Sequence, residues 1–313
     1  MAGHGESKVA VIAAVIANLL IAITKFIAAS ITGSSAMISE GIHSLVDTGN
    51  GGLLLFGMKR AAIPADRDHP FGHGKALYFW SLVVAVSIFG IGGGMSLYEG
   101  ISHIRHVAPG GHMSDPTVNY IVLGIALVIE GFSFSIAIKQ FWAAKGARSP
   151  WQFIKESKDP SLYTVVLEDS AAMLGLIFAF LGVFFGHLLE NPYLDGAASI
   201  AIGMLLMSVA FVLAFETKGL LLGEGAEPDV LAQIRAAVES DEDVDRAGDL
   251  LTMYMGPHEL LVNVGVQFRA GITAEEMIAA IRRIEAAITT THPECQRVYI
   301  EAESIPDPAP AGS

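Results

Sequence analysis

With Cys295 as its only cysteine, a chain of 313 residues can form neither an intrachain disulfide nor a cysteine-rich metal cluster. Charge is scarce too: charged residues make up 16% of the chain against 52% hydrophobic. The mean hydropathy of +0.51 is not that of a pair of soluble domains. The scarcer sign is the basic one, 19 Lys and Arg against 32 Asp and Glu, and a net charge of −13 excludes the basic face that nucleic acid demands. The leader MAGHGESK holds one lysine and no small-residue cleavage signature follows the first apolar run, so that run reads as a helix of the mature protein.

What the chain has instead is long apolar runs. A bilayer-crossing helix needs about 20 mostly apolar residues. Val9–Ile31, Ala76–Leu97, Val118–Ile138, Leu162–Leu189 and Gly196–Phe215 qualify, and Ser35–Phe56 is a sixth, less pure stretch. The predicted transmembrane domain is therefore all-α and six-helical over 1–222, with helices at about 8–31, 35–58, 76–105, 116–142, 160–188 and 193–218. Lys8, Lys59, Arg60, Arg67, Lys75, Lys145, Arg148, Lys155, Lys158 and Lys218 all fall on one side, and Arg105 alone on the other. That bias predicts a multi-pass protein of the bacterial inner (cell) membrane with both termini cytoplasmic and exterior turns near 106–116 and 187–193.

Beyond Gly225 the apolar runs shorten. The pattern becomes helix (Pro228–Ser240), strand (Gly248–Met255), strand (Leu260–Phe268), helix (Thr273–Thr290) and strand (Arg297–Glu303). Gly256-Pro257 supplies a hairpin turn, and Thr273 with Glu276 reads as a capping box. This order predicts a small cytosolic α+β domain of ferredoxin-like type over 223–305, followed by a disordered tail at 306–313.

Ionisable residues inside a span are costly and point to function. The second span carries Glu40, His43, Asp47 and Asn50 along one stripe, with His43 and Asp47 about 40° apart and one turn removed. An imidazole and a carboxylate so placed can share a divalent ion. The fifth span offers Glu168 and Asp169; neighbours about 100° apart cannot both face one small site, and Asp169 is the expected ligand with Glu168 in support. Lys25 and Glu130 are also out of place in hydrocarbon, and read as snorkelling or as an interhelical bridge. The loop Asp66-Arg-Asp-His69-Pro-Phe-Gly-His73-Gly-Lys75 packs acids and imidazoles into one segment suited to capturing metal.

With its HxxxD pair, its His-Pro-Phe-Gly-His-Gly-Lys loop, the acid in span five and the α-β-β-α-β tail, the chain resembles the cation diffusion facilitator family. The segments Ser39–Thr48 and Tyr78-Phe-Trp-Ser look closer to the branch related to mitochondrial zinc-transporter-like members than to the classical bacterial exporters. The resemblance implies a transport site of His43, Asp47 and Asp169, a loop site of Asp66, His69 and His73, and a homodimer. Two departures accompany it. The usual fourth transport ligand falls on Val165, and the positions of a cytosolic binuclear zinc site fall on Gly248, Val264, Glu301 and Glu303.

The resulting expectation is a transporter and not an enzyme: a divalent-metal exporter for zinc, iron, manganese or cobalt, with protons as counter-ion, because ligation and protonation compete for the same groups. The alternatives are a non-transporting membrane metal sensor or scaffold, and an intramembrane metallohydrolase. The second lacks HExxH and a general base beside the ligands.

Overall fold

The computed structural model describes residues 3–106 and 115–303, with side chains from Asn18 onward. Most of the expected 106–116 turn and the whole of the expected 306–313 tail lie outside the described residues. The chain divides into two compact units, one drawn from 1–59 and 76–218, the other from 60–75 and 219–313.

The first unit is helical: α1 (Gly3–Thr32), α2 (Ser35–Ala61), α3 (Ala76–His106), α4 (Thr117–Lys145), the short α5 (Pro150–Glu156), α6 (Pro160–Leu188) and α7 (Tyr193–Leu222). Of these α3, α4, α6 and α7 are long and apolar enough to cross a membrane, while the described apolar part of α1 is Asn18–Thr32. Helix α2 is nearly as long, but Glu40, His43 and Asp47 dilute its apolar character. With the backbone hydrogen-bonded inside each helix, such a bundle meets the demand a bilayer makes of every buried amide and carbonyl.

Local chemistry sets the helix ends. Gly33, at φ 71, takes the left-handed turn that closes α1. Ser149 and Asp159 cap α5 and α6, each followed by a proline whose missing N–H would have had no partner in a first turn. The start of α2 is served from far away: Asp195 accepts from the amides of Ser35 and Ala36 and from the Ser34 hydroxyl, the last at 2.6 Å. Helix α5 was not evident in the sequence, where seven residues are too few to show a helical period.

Helices α3 and α7 approach through glycine. A methyl on Gly100 would meet the Gly196 carbonyl at 2.6 Å, and one on Gly203 would meet the Leu97 amide at 2.8 Å. This is the small-residue contact by which membrane helices pack when no hydrophobic force joins them. Near it, α3 widens into a π-helical segment over Ile88–Gly93. Gly93 packs on Met207 there, whereas Gly90 faces open space, as do Gly49, Gly51 and Gly52 of α2.

In the second unit, β1 (Val244–Gly256) pairs antiparallel with β2 (Glu259–Phe268), and β2 pairs parallel with β3 (Arg297–Ala302). Helices α8 (Pro228–Glu239) and α9 (Ala274–Thr291) complete it, with Ile234, Val238, Val262, Val264, Ile284 and Ile288 buried in the core. The capping box at Thr273 is formed in both directions. Cys295 is buried in this core, and burial pushes its thiol up to about 11. Strand β1 begins four residues before the Gly248 start read from sequence, because register irregularities between Val244 and Leu250 break the alternation that marks a strand.

Candidate metal site

On α2, His43 Nδ1 and Asp47 Oδ1 lie 3.4 Å apart, the one side chain 2% and the other 19% exposed. The gap is too wide for a good hydrogen bond. Neither ring nitrogen of His43 nor Asp47 Oδ1 has a hydrogen-bond partner among the described residues. Orphaned buried polar atoms are rare and need an explanation. A tetrahedral zinc with bonds of about 2.05 Å holds neighbouring ligands about 3.3 Å apart, so the pair is already spaced to share one ion.

The rest of the α2 stripe is divided among partners. Asn50 donates to Glu168 Oε1 of α6 at 2.9 Å, and Glu40 turns to Lys25 at 2.9 Å. Asp169 accepts from Ser133 of α4 at 3.4 Å. Asp47 is near enough to Glu168, Asp169, Glu130 and Lys25 to feel the charge of each. Even so, ligand atoms of His43, Asp47 and Asp169 do not all lie within 4.8 Å of one another. Val165, 37% exposed, has no ligand atom to offer.

The loop residues gather more tightly. Ligand atoms of Asp66, His69 and His73 all lie within 4.8 Å of one another, the one such group among the described residues. His69 Nδ1 is 3.4 Å from Asp66 Oδ1, and His73 Nε2 is 3.5 Å from Asp66 Oδ2. The turn has its own support: Asp66 Oδ1 accepts from the amides of His69 at 2.7 Å and Asp68 at 3.0 Å. The His69 amide, first among several donors and neighbours, holds the Asp66 carboxyl below the usual range, so it is ionised wherever an imidazole can ligate. Gly72, at φ 88, bends the segment so that the two imidazoles lie 4.1 Å apart. Gly74 then packs against the β1–β2 hairpin, where a methyl would overlap the Met255 carbonyl oxygen.

Residues 11–222 match the model of the cation efflux transmembrane domain. The chain belongs to the cation efflux family. This cation efflux protein is 34% identical over 266 residues to the mitochondrial proton-coupled zinc antiporter of Mus musculus, a match covering 84% of this chain and 46% of that relative. It is 28% identical over 284 residues to metal tolerance protein C4 of Arabidopsis thaliana, covering 90% and 62%. An uncharacterised transporter of Methanocaldococcus jannaschii is 22% identical over 308 residues, covering 96% and 99%. The chain thus spans about half the length of the first of these relatives.

The interhelical bridge expected of Lys25 and Glu130 is formed, and what escaped the sequence reading is that Glu40 and Ser44 join it in a single cluster. Lys25, Glu40 and Glu130 were each visible as an ionisable residue in a span. Which helices adjoin was not, and adjacency makes them one group.

Proposed function

We propose that the chain exports a divalent transition metal, zinc foremost, from the cytoplasm in exchange for protons, with His43, Asp47 and Asp169 as the transport site and Glu168 beside them. The observation that carries this is the buried His43–Asp47 pair, 3.4 Å apart, with both imidazole nitrogens unpartnered. A proton or a metal ion can take those lone pairs, but not both. On that reading Asp169 closes on the ion from α6, moving from Ser133 as the site loads. The names of the mouse and plant relatives support metal as cargo, and the former supports proton coupling.

Asp66, His69 and His73 are proposed as a separate loop metal site on the cytoplasmic side, where the Lys and Arg bias puts both termini. A homodimer is proposed from the family resemblance. The tightness of the loop cluster favours one second reading, a membrane metal sensor that binds without transport.

The deciding experiment is metal uptake into inside-out proteoliposomes with an imposed pH gradient, for zinc, iron, manganese and cobalt. Gradient-driven flux is expected. Asp47→Ala and Asp169→Ala should each lower it by more than about 100-fold, beyond the 10–100-fold that supporting partners of a metal site typically cost. Metal binding without flux for any of the four would overturn the transport reading in favour of the sensor.

A further inference from the structure

The ammonium of Lys25 is fully buried, and it donates to Glu40 Oε2, Ser44 Oγ and Glu130 Oε1, each at 2.9 Å. An ammonium has three donors, and here each has one oxygen. The oxygens come from two helices, α2 and α4, while the lysine reaches in from α1. A fourth helix, α6, adjoins through Gly175, where a methyl would overlap Glu40 Oε1. The side chains of Glu40 and Glu130 are 0% and 12% exposed.

Two oxygens are left over. Glu40 Oε1 and Glu130 Oε2 are buried without a hydrogen-bond partner among the described residues. The cradle therefore has two carboxylates and a hydroxyl, and one positive charge set against two negative ones. Oxygen donors of this kind are what a divalent metal accepts, at about 2.0–2.2 Å for zinc, and carboxylate torsions can draw the oxygens in from their present distance.

We propose that Lys25 is a tethered cation filling what would otherwise be a second, metal-trapping site inside the membrane. The transported ion, loading at His43 and Asp47 on the same helix, is thereby denied a stronger resting place one turn away. Lys25 touches no transport ligand in this arrangement. Its role is to keep the neighbouring carboxylates occupied and α1, α2 and α4 joined.

The test is a count of bound zinc on the full chain in detergent, by equilibrium dialysis and elemental analysis, with folding checked by gel filtration. Lys25→Met leaves two facing carboxylates that one dication would neutralise, and it is expected to bind one zinc per chain more than wild type. Lys25→Met combined with Glu130→Gln leaves one carboxylate and is expected to return to the wild-type count. A folded Lys25→Met chain with the wild-type count would overturn the proposal, as would failure of that variant to fold even with zinc supplied. So would retention of the extra zinc by the double variant. The benefit to a transported ion rests on the export reading, but the count requires no transport, so a wild-type protein without flux would end that reading and leave standing the inference that Lys25 fills a latent metal site.

Discussion

Asp66 has two separable tasks. Its carboxylate accepts the amides of Asp68 and His69 and so shapes the turn, and it faces both imidazoles, where the proposed loop site would use it as a ligand. Asp66→Asn keeps a carbonyl oxygen for the amides and loses the charge; Asp66→Ala loses both. Zinc titration of the full chain, read alongside hydrogen exchange over 66–75, should show weaker binding in each variant but a loosened turn only in the alanine. An equal loss of protection in both would mean that the charge, and not the acceptor geometry, holds the turn. The motif was readable in the sequence, but the turn was not, since nothing in the spacing says which oxygen receives which amide.

At the scale of elements, the α3–α7 crossing depends on the absence of side chains. Gly203→Val would drive its branch into the backbone of Leu97 and the carbonyl of Gly93, where no flexible side-chain end can yield. Overpacking of this kind costs about 1–3 kcal/mol. A lowered thermal midpoint in detergent is expected for Gly203→Val, with little change for Gly90→Ala, which faces open space.

In the second unit, Arg283 of α9 forks onto Asp241 and Asp243, with each contact at 2.8 Å. The guanidinium holds the Asp241 carboxyl below its usual range. A group lowered on folding lends stability above the ordinary aspartate range, near pH 4, and loses it as pH falls through the lowered value. Amides at the start of β1 should therefore exchange more slowly in wild type than in Arg283→Met at pH 7, with the difference shrinking as pH falls below 4. A gap independent of pH would point to packing of the arginine stem. Asp241 and Asp243 stand almost side by side in the sequence, but only the fold brings an arginine forty residues later to meet them.

For the whole molecule, the helical bundle and the α-β-β-α-β tail were legible because their periods are long and their punctuation clear. His43 and Asp47 were legible because one helix carries both, and a helix fixes the spacing of its own residues. Beyond the bridge expected of Lys25 and Glu130, pairings between helices were not, because periodicity says nothing of neighbours: Lys25 with Glu40, Asn50 with Glu168 and Ser133 with Asp169 all join residues on different spans. Contacts of that kind also carry a history. The cap on α2 is a carboxylate encoded 160 residues after the amide it receives. During synthesis, Lys25 can meet Glu40 as soon as the first hairpin enters the bilayer, and Glu130 can join once α4 follows. The Ser34 hydroxyl can receive the Met37 amide at once, but the Ser35 and Ala36 amides wait until α7 is made. A chain cut short before Asp195 would leave the Ser35 and Ala36 amides of that turn without their acceptor, a defect by which a membrane quality-control protease could tell an unfinished protein from a finished one.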